Sequence, residues 1–136
     1  MLVTAEWMSG GSHTLLARMT AREGTGTATG VAGEGKWVKQ ADLSAITCNV
    51  YDLSSSTPST AVVTPTVTIS TAIQDTPVTS TELWTLDTTG YNFIFNLPTT
   101  AFPTDGHRYK VEVKFTLTSG TVCYAVYDGP ASTTYS

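Results

Sequence analysis

From Tyr109 to Leu117, apolar and polar residues alternate without a break. Tyr109, Val111, Val113, Phe115 and Leu117 fall on one side, and Lys110, Glu112, Lys114 and Thr116 on the other. Successive side chains of a strand point to opposite faces, so this period predicts a half-buried strand with one wet face. Ser119-Gly120 then reads as a two-residue turn, because glycine accepts the positive φ that tight hairpins need. That turn sets Leu117 opposite Val122, Phe115 opposite Tyr124 and Val113 opposite Val126. Tyr124 is accordingly expected in the core beside Tyr109, Val111, Val113 and Phe115. A hairpin of this kind excludes a helical bundle and makes the chain all-β.

The remaining segments extend the pattern. His13–Arg22 and Ala45–Leu53 read as strands, the second with Ile46, Cys48 and Val50 inward. Shorter strands are expected at Lys36–Lys39, Val62–Val63, Thr66–Ser70, Leu83–Leu86 and Tyr91–Leu97, with Trp84 counted in the core. Ala72–Ser80 reads as a polar connection. No apolar stripe of helical period runs beyond about two turns. Residues 23–35 are glycine-rich and unpatterned, which predicts a flexible loop or arm. The organisation expected is an N-terminal arm (residues 1–11), a β domain (12–127) and a C-terminal tail (128–136).

Charge is sparse, at 13% of 136 residues with a net charge of −4, and this argues against nucleic acid as a partner. Ser and Thr make up 39 residues and coat the surface without charge. No stretch approaches the roughly 20 apolar residues of a membrane span, and the N-terminus lacks the basic and apolar regions of a signal peptide. The predicted register turns Cys123 away from the core while Cys48 faces inward, which disfavours a disulfide.

Few residues carry catalytic or ligand chemistry. Gly30-Val31-Ala32-Gly33-Glu34-Gly35-Lys36 has the spacing of a phosphate-binding loop, but Trp37 stands where a Mg²⁺-binding hydroxyl belongs and no helix follows. His13 and His107 lie in no metal-ligand spacing. No G-x-S-x-G elbow occurs, and the acids sit mostly in turns. No catalytic residue, cofactor or metal is therefore expected. Trp7, Trp37 and Trp84 are candidates for a carbohydrate platform if exposed. Trp7 and Trp37, next to glycine-rich segments, are better read as interface anchors together with Gly30, Gly33 and Gly35.

The approach from Pro98 through Gly106-His107-Arg108 to Tyr109 resembles the tyrosine corner of immunoglobulin-like and fibronectin-type domains, where the hydroxyl bonds back to the preceding loop. Together with about seven or eight predicted strands, it points to an immunoglobulin-like two-sheet sandwich of antiparallel strands. Gln40–Leu53, Trp84–Phe93 and Tyr109–Val113 also resemble small β-sandwich proteins of tailed-phage and prophage structural regions. In style they are similar to the N-terminal module of phage baseplate upper proteins. The resemblance implies a non-enzymatic virion protein assembled in the host cytoplasm, with capsid decoration or cementing as the leading role. A tail or baseplate adaptor, or a carbohydrate-binding tail module, is the alternative. The partners implied are major capsid or tail proteins, further copies of the chain, and a surface glycan.

Overall fold

A computed structural model describes residues 2–79 and 84–133. Among the described residues the regular structure is almost wholly β, with eleven strands. These are β1 (Leu2–Thr4), β2 (Trp7–Met8), β3 (His13–Ala17), β4 (Thr20–Ala21), β5 (Lys36–Trp37), β6 (Leu43–Asp52), β7 (Ala61–Val63), β8 (Ile73–Val78), β9 (Tyr91–Leu97), β10 (Arg108–Leu117) and β11 (Val122–Ser132). A single 3₁₀ turn covers Gln40–Asp42 and a one-turn helix covers Ile69–Ala72. The larger sheet runs β1-β11-β10-β6-β7, with β2 also on β11. The smaller runs β3-β9-β8, and β4 pairs with β5.

The inward rows of both sheets meet in one sandwich-like core. Val111, Val113 and Phe115 of β10 and Cys48 and Val50 of β6 are fully buried against Leu15 and Ala17 of β3 and Phe93 and Leu97 of β9. Phe93 meets Phe115 edge-on across the layers, with ring centroids 5.0 Å apart. Burying each such side chain contributes about 1.5–3 kcal/mol, so the alternation seen in the sequence is also the main source of cohesion. Burial pushes the Cys48 thiol up to about 12, and that cysteine behaves as a small apolar residue.

The C-terminal hairpin closes one residue differently from the sequence expectation. Phe115 pairs with Cys123 and Val113 with Ala125. The loop has three residues, Thr118-Ser119-Gly120, closed by the Leu117 N–H on the Thr121 carbonyl at 2.8 Å, with Gly120 at φ 94. Three-residue hairpins that end on a left-handed glycine are a standard solution. A slip of one residue sends every side chain of a strand to the other face. Ala125 and Tyr127 are therefore buried, while Tyr124 lies 45% exposed on the outside. Cys123 turns inward and is half-buried. Both thiols are free. β10 lies between their strands, which sets the cysteines two strand spacings apart, about 9–10 Å, beyond the reach of a disulfide.

Other expectations are corrected as well. Residues 2–8 are not a loose arm: β1 and β2 lie parallel to β11, which runs on to Ser132 instead of ending in a tail at Asp128. A side chain at Gly129 would run into the Ala5 carbonyl, so the crossing segment sits directly on the glycine backbone. The large sheet is thus mixed rather than purely antiparallel. Thr66–Ser70 is not a strand; the helical turn starts there, and the strand is β8, within the stretch read as a connection. Trp84–Leu86 is irregular, with the Trp84 indole N–H donating to the Asp87 carboxylate, and Leu83 lies outside the described residues.

Candidate interaction surface

The tryptophans expected at an interface are buried. Trp7 is 4% exposed, stacked on Phe102 at 4.4 Å and edge-on to His13 at 5.4 Å, with its indole N–H donating to the Tyr109 carbonyl at 3.3 Å. The His13 Nε2 accepts the Met8 N–H at 2.9 Å and so belongs to the same plug. Trp37 is 5% exposed. The segment behind it is the glycine-rich one, and much of that segment is tied down. Gly26 donates its N–H to the Trp37 carbonyl, and Trp37 returns one to Thr27. A Cβ on Gly26 would lie 2.7 Å from the Trp37 side chain, so only glycine lets this strand-like edge approach. Gly35 packs as closely against Ala21, whereas Gly30 and Gly33 lie at the exposed tip with open space around them.

Three polar side chains, none of them visible to a periodicity search, hold this insertion. Asn92 is fully buried; its amide donates to the Met19 and Val38 carbonyls at 2.9 Å and accepts the Met19 N–H at 2.6 Å. Burial raises the Asp42 carboxyl, but the N–H groups of Lys39 and Thr25 and the Thr25 hydroxyl outweigh it and hold it below the usual range. Arg18 spreads over two segments. It donates to the Gly90 carbonyl at 3.0 Å, to Glu34 at 2.9 Å and to Asp87, and its guanidinium lies over the Trp84 ring at 5.6 Å. The Arg18 bond first, and then the Trp84 indole N–H, hold the Asp87 carboxyl well below its ordinary value. Trp84 is thus roofed by Arg18 and packed on Tyr91. With Trp7 and Trp37 buried, the three tryptophans do not form a carbohydrate platform.

A row of neighbouring apolar residues is exposed on the outer face of the large sheet. Val122 and Tyr124 are 40% and 45% exposed. They share that face with half-buried Val126, two residues on. Across β10 their partners are Thr116, Lys114 and Glu112. Lys110 is engaged with Glu112 at 3.6 Å and lies over the Tyr51 ring, while Lys114 projects outward beside Tyr124. The result is a flat apolar row with a single cation at its side. The sequence missed it because the predicted register placed Tyr124 inside.

At the opposite end of β10, His107 contacts buried Asp52 through Nδ1 at 2.6 Å, and Asp52 accepts the Ser54 N–H at 3.0 Å. The Arg108 N–H donates to the Ser54 hydroxyl and the Leu53 N–H to the Arg108 carbonyl. The pair thereby joins the loop after β6 to the loop before β10. Tyr109 completes this corner: fully buried, its hydroxyl accepts the Thr104 N–H at 2.9 Å, as the sequence led us to expect. Among the described residues, no group of three His, Cys, Asp or Glu is placed to hold a metal ion. Compared with family models, curated proteins and solved structures, the chain matches none.

Proposed function

We propose that the chain is a non-enzymatic virion structural protein of a tailed bacteriophage, an immunoglobulin-like sandwich that decorates or cements the capsid by docking on neighbouring capsid subunits. Two features support the immunoglobulin-like reading. The order β11-β10-β6-β7 against β3-β9-β8 parallels the G-F-C-C′ and B-E-D order of such domains, and Tyr109 makes the corner bond to the loop before its strand. The virion role rests on the resemblance of Gln40–Leu53, Trp84–Phe93 and Tyr109–Val113 to phage β-sandwich proteins.

The observation that carries docking is the row Val122, Tyr124 and Val126, neighbours on one face of a strand, whereas the other exposed large apolar residues, Val62 and Leu86, stand on separate segments. Aromatic residues are enriched at interface centres and aspartate and glutamate depleted there. The fitting partner presents an apolar patch with an acidic group facing Lys114. A symmetric shell repeats this contact many times, so a modest interface suffices.

Quantitative mass spectrometry of purified particles tests the role. On the order of hundreds of copies per particle is the expected result. A few dozen would move the protein to the tail or baseplate, and absence from particles would remove the virion reading. Within particles, Tyr124→Ser is expected to cut occupancy by about ten-fold or more, the size of a lost aromatic anchor.

A further inference from the structure

A second surface feature lies away from the docking face. Between the glycine-rich edge at Thr25–Thr27 and the β8 stretch Asp75–Pro77 is a groove of ≈ 340 Å³, with Trp37 and Lys39 also lining it. Its size is that of a small-ligand site. Two sequence features keep it open. Gly26 draws its edge in against Trp37. On the other wall, β8 leaves register with β9 between Ile73 and Val78, and Pro77 has no N–H to offer a neighbouring strand.

The groups facing the groove are chemically mixed. One Asp75 oxygen accepts the Gln40 N–H at 2.7 Å, and the other has no partner among the described residues. Lys39 lines the same groove, yet no ion pair joins it to Asp75. Among the described residues the hydroxyls of Thr27 and Thr76 have no hydrogen-bond partner, whereas that of Thr25 is spent on Asp42. A phosphate would meet the Asp75 carboxylate, and a bare cation would meet the Lys39 ammonium. A wholly apolar ligand would leave both charges desolvated without partners. A neutral molecule carrying several hydroxyls matches the set: its hydroxyls donate to Asp75, its oxygens accept from Lys39 and the threonines, and its C–H face rests on Pro77.

We infer that this groove is a binding site for a neutral saccharide, with Asp75, Lys39, Thr27 and Thr76 as its polar contacts. It is separate from the docking face, so the two readings fail independently.

The test is an array of neutral oligosaccharides probed with the full chain, followed by titration of any hit by NMR. Retention of at least one neutral oligosaccharide is expected, weakened about ten-fold or more by Thr27→Val and by Asp75→Asn, and unchanged by Tyr124→Ser. Asparagine keeps an oxygen for the Gln40 N–H and loses only the second carboxylate oxygen, so the groove wall stays in place. A melting curve on each variant confirms folding before binding is read. No neutral oligosaccharide held at millimolar concentration overturns the inference. So does binding that neither substitution in the groove changes, or binding of free zwitterionic amino acids in place of sugars.

Discussion

The three-strand heart of the large sheet and the glycine-rich insertion are held by opposite means. In β6, β10 and β11, alternate side chains bury their apolar groups and the outward row hardly matters for cohesion. Around residues 18–42, single polar groups do the holding: Arg18 and Asp42 bind from the two ends of the segment, Asn92 reaches across from β9, and Gly26 permits a close backbone approach. The first kind of region loses stability in proportion to the apolar volume removed. The second loses it wherever a buried donor or acceptor is stranded.

Phe115→Ala is expected to have the largest effect, costing about 3–5 kcal/mol and lowering the melting temperature of the whole domain. A loss below about 1 kcal/mol, measured by denaturant unfolding, would mean that the two layers do not share a core there. Asn92→Ala should follow at about 2–4 kcal/mol, because it strands the Met19 N–H and the Val38 carbonyl, while the Met19 carbonyl keeps the Val38 N–H. Asn92→Asp should be no better, since it lacks the amide donors. Hydrogen exchange sharpens this comparison: protection should fall first at Met19 and Val38 and persist in β10.

Arg18→Met should cost less, about 1–2 kcal/mol, and should act locally on the insertion tip and the turn at Asp87. Its pH dependence has a definite sign. Asp87 is held below its ordinary value of 3.8, so its contribution is fully present above that value and is lost as pH falls through the depressed folded value. The difference between wild type and Arg18→Met should therefore be flat near neutrality and shrink only in strong acid. A difference that vanishes between pH 7 and 5 would contradict the pairing. Tyr124→Ser is the smallest in stability, within about 0.5 kcal/mol of wild type. A loss of several kcal/mol would restore the inward register and remove the docking face.

The contrast also explains which parts were legible beforehand. Ile46, Cys48 and Val50, Tyr91–Leu97 and the inward row of β10 could be read directly, because a period of two records which side meets the core. The bond from Tyr109 to the preceding loop was expected only from the resemblance to immunoglobulin-like domains; the alternation by itself marked Tyr109 as a core aromatic. Trp7 and Trp37 were misread because a tryptophan beside glycines carries no mark of burial; the stacking partner Phe102 and the pairing with Thr20 and Thr27 come from remote parts of the chain. Asn92 looked outward by alternation, since nothing local shows that the insertion folds over it.

By itself the amino-acid order determined the β class and the apolar rows, since both follow from local side-chain direction and the drive to remove apolar area from water. Tertiary structure alone decided the hairpin register, the docking of residues 2–8 onto β11 and the polar anchoring of the insertion. The first turns on one local bond, from the Leu117 N–H to the Thr121 carbonyl, and the other two on single hydrogen bonds or close backbone contacts between residues further apart; none of these leaves a periodic trace.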